Sequence, residues 1–128
     1  MKLKFQENID KIKNCPSQNE IGEMNLFRCV ESDISEKSFV PQAVLLKPKY
    51  QDMCIAWGIS VFNSFDSANQ MLKSLSKNKR VNYSKIARGI INDSHGIKYG
   101  GNNKKHYTFF PTEEFNVVEN FEIVNRND

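Results

Sequence analysis

Two histidines, His95 and His106, and three cysteines, Cys15, Cys29 and Cys54, are the residues able to hold a metal or to act as thiol nucleophiles. Zinc sites draw ligands in close pairs such as Cys-x-x-Cys, and no such pair occurs here. Thiol catalysis needs a cysteine beside a histidine base. Cys54 with His95 or His106 supplies those residue types, but no local motif joins them. The cysteine count is odd and the spacings are wide, unlike a secreted disulfide framework. The expectation is free thiols in a reducing compartment, no metal site, and Cys29 and Cys54 acting as small hydrophobes in apolar strands.

Charge is the stronger signal. The 128-residue chain has a net charge of only +3. Residues 71–106 nevertheless carry nine Lys and Arg against one acid, Asp93. The flanking stretches are neutral to acidic, with five acids against Arg126 after residue 106. Such asymmetry points to an anion-binding face. Its candidate residues are Lys79, Arg80, Lys85, Arg88, Lys104 and Lys105. The same segment holds Lys98-Tyr-Gly-Gly-Asn-Asn-Lys-Lys105, which could turn backbone N–H groups and two ammonium groups towards an anion. Gly-Gly and Asn-Asn are also ordinary hairpin-turn residues. No phosphate-loop or dinucleotide glycine motif is present.

A third set lies outside the basic segment. Arg28 stands between Phe27 and Cys29 in an apolar stretch, where an arginine calls for a reason. Ser60 and Ser64 border a second apolar stretch, and Glu113 and Glu114 follow Tyr107–Phe110. Arg, Ser and Glu on successive strands resembles the ADP-ribosyltransferase-like fold. The resemblance implies that Arg28 anchors a nicotinamide dinucleotide, that Ser60 or Ser64 orients its ribose, and that Glu113 or Glu114 stabilises an oxocarbenium-like centre. It covers those positions and nothing longer. Gly58-Ile59-Ser60 stands where the family has Ser-Thr-Ser, and adjacent glutamates replace its Glu-x-Glu. On this reading the catalytic set is Arg28, Ser60, Ser64, Glu113 and Glu114, and the cofactor is NAD. Otherwise no cofactor is expected.

Phe5, Ile9 and Ile12 recur at helical spacing, so residues 2–13 read as a helix ended by Cys15-Pro16. Residues 16–23 read as a linker. Met24–Val30 is a strand. Residues 31–52 are irregular around Pro41 and Pro48, with a brief pairing expected at Val44–Leu46. Cys54–Phe62 is nearly all apolar, as in a strand buried on both faces, with a bulge or close backbone approach at Gly58. Ser64 caps a helix that sets Phe65, Ala68, Met71, Leu72 and Leu75 on one face. Lys85–Ile91 is a strand, Ile97–Tyr99 and His106–Phe110 form a hairpin, and Phe121–Val124 closes the chain. Tyr107, Phe109, Phe110 and Trp57 are core material, or a stacking platform for a base.

The fold class is therefore α+β: a mostly antiparallel sheet of about five or six strands, an N-terminal helix and one central amphipathic helix. Residues 1–23 form the helix and linker, and residues 24–128 a single domain. No stretch reaches the ~18 apolar residues of a membrane helix, and no secretory signal is evident. A soluble, cytoplasmic protein is expected. The favoured function is a non-enzymatic binding or regulatory domain that captures an anionic partner: an acidic protein, nucleic acid or a phosphorylated ligand. The alternative is an ADP-ribosyltransferase-like enzyme or a degenerate relative.

Overall fold

The computed structural model describes residues 2–45, 50–78, 82–101 and 105–125. Its helices are α1 (Gln6–Asp10), α2 (Gln42–Leu45), α3 (Phe65–Leu75) and α4 (Val117–Asn120). Its strands are β1 (Met24–Val30), β2 (Ile59–Phe62), β3 (Lys85–Ile91), β4 (Gly96–Tyr99), β5 (His106–Pro111) and β6 (Phe121–Val124). All six form one antiparallel sheet in the order β4-β5-β2-β1-β3-β6. The α+β class is as the sequence implies.

The connection from β3 to β4 shapes this sheet. The two strands are four positions apart, roughly 19 Å in a flat sheet. Only residues 92–95 join them, and His95 N–H donates to Asn92 C=O at 3.1 Å, closing a tight turn. So short a link requires the sheet to curl. Strand alternation then puts Leu26, Val30, Ile59, Val61, Tyr107 and Phe109 on the concave face, in one continuous cluster. Phe39 covers it from a 3-10 turn at Glu36–Phe39, Phe115 from the loop after β5 and Val117 from α4. The convex face carries two smaller clusters. One joins Leu3, Ile9, Trp57 and Phe110, and the other packs Ala68 of α3 on Phe62, Ile86 and Val124.

Gly89 of β3 lies under the Phe121 ring, where a Cβ would sit 2.8 Å from a ring carbon. The segment 54–62 corrects the expectation of one long strand. Cys54–Trp57 forms a 3-10 turn, and only Ile59–Phe62 enters the sheet. The break falls at Gly58, where a Cβ would lie 2.5 Å from the Thr108 methyl and 3.0 Å from the Phe109 carbonyl oxygen. That is the close backbone approach expected there. Val44 and Leu45 are helical rather than paired, because the Pro41 carbonyl accepts from both of their N–H groups. Leu46 lies outside the described residues.

The N-terminal helix is shorter than its apolar spacing suggests. Leu3 bridges Thr112, and Lys4 N–H donates to Pro111 C=O at 3.0 Å, so the first residues are extended. Phe5 then turns at φ 63, in the left-handed region, before α1 begins. The following linker is fastened to the sheet. Lys98 N–H donates to Asn19 Oδ1 at 3.0 Å, and Glu20 N–H donates to Lys98 C=O at 2.8 Å, covering the outer edge of β4. Tyr107 Oη donates to Glu20 at 2.8 Å.

Two of the three cysteines are not free thiols. Cys15 and Cys54 form a disulfide across a sequence separation of 39 residues, and only Cys29 is a free cysteine. Sequence spacing missed it because tertiary packing of the arm brings the pair together. Closing a loop of that length stabilises the fold by restricting the unfolded chain. The variant Cys15→Ala/Cys54→Ala is expected to lose roughly 2–4 kcal/mol in denaturant unfolding.

The linker also rests on a buried charge. Lys98 is fully buried on the concave face, and its Nζ donates to Asp93 Oδ1 at 2.9 Å. Gly22 N–H donates to both Asp93 oxygens at 3.0 and 3.1 Å. The bond from Lys98 and then that from Gly22 hold the Asp93 carboxyl below the usual carboxylate range. A depressed folded value means stability that is present above the unfolded carboxyl value, about 3.9, and lost as pH falls through the folded one. Thermal melts should therefore weaken below about pH 4, less so in Asp93→Asn. At pH 7, Asp93→Asn should melt lower than Lys98→Met, because only the former strands a buried ammonium.

Candidate functional site

Arg28 projects from β1 onto the concave face and is buried. Its Nε donates to Ser38 C=O at 2.8 Å and its Nη1 to Ser60 C=O at 2.7 Å. The guanidinium carbon lies 5.8 Å from the Phe39 ring centroid. Burial lowers its pKa, an effect opposed by Tyr83, Cys29 and Glu31. The β1–β2 ladder has one register pair, Phe27 with Phe62. Beyond it, Arg28 joins the strands through its side chain.

The other members of the Arg-Ser-Glu set lie elsewhere. Ser60 shares its carbonyl with Arg28, but its side chain points to the convex face, where Oγ and His106 Nε2 are 2.6 Å apart. Ser64 caps α3, its Oγ accepting from Ser67 N–H at 3.2 Å. Glu113 is exposed and pairs with Lys2 at 3.4 Å, and Glu114 is exposed beside it. The five side chains do not meet in one cleft.

Of the six candidate cations, Lys85, Arg88 and Lys105 are among the described residues. Lys85 is exposed at the start of β3, and Arg88 pairs across strands with Glu122 at 3.3 Å. Lys79, Arg80 and Lys104 lie outside the described residues, as does part of the glycine-rich turn. Lys105 immediately precedes β5 and lines a groove on the convex face.

That groove, of about 290 Å³, lies between α3 and β5. Its α3 wall is Ser67, Gln70, Met71 and Ser74, a single helical row at three- and four-residue spacing. Lys105, His106 and Phe62 form the strand wall. His106 packs edge-on against Phe62 with centroids 5.2 Å apart. Burial lowers the His106 pKa, so the neutral imidazole prevails at neutral pH. The walls present two hydroxyls, an amide, an imidazole and an ammonium beside two apolar side chains. The polar row on α3 was legible as period-three spacing in the sequence. Its partnership with Lys105 and His106 was not, because some thirty residues separate them along the chain.

Thiol chemistry has no counterpart here. Cys54 is in the disulfide. Cys29 is buried, its thiol pushed up to about 11 chiefly by burial, and its Sγ donates to Ala68 C=O at 3.3 Å. His95 accepts from Asn92 N–H through Nδ1 and packs on Phe115. Among the described residues no three His, Cys, Asp or Glu side chains are grouped to hold a metal ion. No described helix is long and apolar enough to cross a membrane.

No protein-family model matches this chain, and no curated protein or solved structure matches it significantly.

The geometry of Arg28 has a direct consequence for stability. Arg28→Ala removes the donors of two interior carbonyls, each costing about 1–3 kcal/mol when left unpaired. The expected loss is roughly 2–5 kcal/mol in urea unfolding. Arg28→Lys should recover only part of it, because a single ammonium cannot reproduce the fork that reaches both acceptors.

Proposed function

We propose that the protein is a small binding domain that captures an anionic group in the groove between α3 and β5. Lys105 supplies the charge, and Ser67, Gln70 and Ser74 supply directional donors. The observation that carries this reading is the placement of Lys105, a cation of the basic middle segment, within one concavity beside three neutral donors. A charge-assisted hydrogen bond flanked by neutral donors is how proteins hold phosphate and carboxylate oxygens.

The dimensions narrow the ligand. The row from Ser67 to Ser74 spans roughly 10 Å at the helical rise. A volume of about 290 Å³ is at the small end of ligand sites. One phosphate-bearing group, free or carried on a partner, fits such a space better than a long nucleic-acid track. The dinucleotide reading has less support, because Arg28 is committed to two main-chain carbonyls and the Ser60 hydroxyl lies on the opposite face.

Titration with pyrophosphate and with a phosphoserine peptide, followed by amide chemical shifts, tests the proposal. Shifts should concentrate at Ser67–Ser74 and at Lys105 and His106. Affinity should fall with added salt. Lys105→Glu should weaken binding about tenfold or more, the loss of one charge-assisted contact, while Arg88→Glu leaves it unchanged. Salt-independent binding, or a Lys105→Glu variant that binds as well as the parent, would remove the proposal. Preference for an acidic peptide lacking phosphate would reassign the groove to carboxylates.

A further inference from the structure

On the same convex face Ser60 stands within hydrogen-bond reach of His106, a residue of the groove wall, and neither is among the donors assigned to the anion. We propose that Ser60 is a nucleophile activated by His106, able to accept an acyl group from an activated ester. Ser60 pairs with Thr108 and Phe62 with His106 in the β2–β5 ladder, so Ser60 and His106 are diagonal neighbours on one face. Their Oγ and Nε2 atoms lie 2.6 Å apart, the spacing a serine and its general base require.

The surroundings suit that role. Ser60 is exposed, so an acyl donor can reach it. His106 is half-buried and its ring rests edge-on against Phe62, which limits its swing. The Ser60 carbonyl is held from the other face by Arg28 at 2.7 Å, which steadies the backbone under the hydroxyl. Burial favours the neutral imidazole. In the tautomer carrying its proton on Nδ1, Nε2 accepts the hydroxyl hydrogen. Lys105, adjacent in sequence, brings positive charge to the groove wall, favourable to an oxyanion.

The step balances without a further reactant. Ser60 Oγ forms a bond to the carbonyl carbon of the ester as its proton passes to His106 Nε2. The bond from that carbon to the leaving oxygen breaks, and the Nε2 proton moves to the leaving group. Acyl-Ser60 and an alcohol or phenol result. Water, deprotonated by the same nitrogen, later releases the acid and restores Ser60.

The whole chain incubated with p-nitrophenyl acetate provides the test, read by p-nitrophenol release and peptide mass mapping. One acetyl group is expected on Ser60, with a rate that rises with pH to a half-point below the ordinary histidine value. Ser60→Ala should abolish that adduct, and His106→Gln should slow it roughly a hundredfold. Ser76→Ala, an exposed serine outside both the groove and the pair, should acetylate as the parent does. Acetylation confined to lysines, no adduct, or a Ser60 adduct undiminished in His106→Gln would overturn the assignment. Should His106→Gln fail to fold, the pH profile of the parent decides: a rate with no histidine-like half-point overturns it equally. Ser60 lies outside the phosphate-contacting set, so loss of acylation leaves the anion proposal standing, and the reverse holds too.

Discussion

A guanidinium taken out of water must find acceptors in the interior, because an unpaired buried charge is far costlier than a paired one. Arg28 meets that demand with main-chain carbonyls from two separate segments, Ser38 and Ser60. The consequences spread outward. Ser60 belongs to β2, so the bond ties β2 to β1 where their ladder has run out. Ser38 precedes Phe39, whose ring meets Phe121 at 5.1 Å between centroids and lies near the guanidinium. One side chain therefore links the middle of the curled sheet, the covering 3-10 turn at residues 36–39, and through Phe121 the last strand. Two of the guanidinium's donors are thereby committed to the fold itself.

The N-terminal arm is held by a different balance. Its extended start continues alongside the end of β5, its disulfide reaches the turn before β2, and its linker covers the β4 edge. An uncovered edge presents unpaired donors and acceptors to any passing strand. Asn19 and Glu20 remove that hazard on one side. The Lys98 ammonium is buried against Asp93, and Gly22 of the linker donates to the same carboxylate.

The convex face differs in leaving polar side chains beside a groove. The concave face is filled with large apolar side chains and by two cations already matched. On the convex side α3 lies across part of the sheet, with Ala68, Phe65 and Leu72 inward and its serine-rich row turned along β5. A helix narrower than the sheet leaves a step at its flank. That step is the groove; His106 lines it, and the exposed Ser60 stands beside His106.

Much of this architecture was readable in the sequence. Alternation and β-branched content located β1, β3 and β6, and the Ser64 cap located the start of α3, because these signals are local and their energetics act within a few residues. The α+β class followed from them. Where long-range contacts outweighed local preference, the sequence misled: Leu3 and Lys4 bond to the far end of β5 instead of lengthening α1, and the crowding at Gly58 splits an apolar run that looked like one strand. The candidate sites show the same division. Residue types marked Arg28, Ser60 and Lys105 as worth notice. Which face each side chain takes, and whether a carbonyl, a histidine or solvent meets it there, depends on strand register and on how far the sheet curls. Those are properties of the folded chain, set by contacts between residues tens of positions apart, and tertiary structure alone decided them.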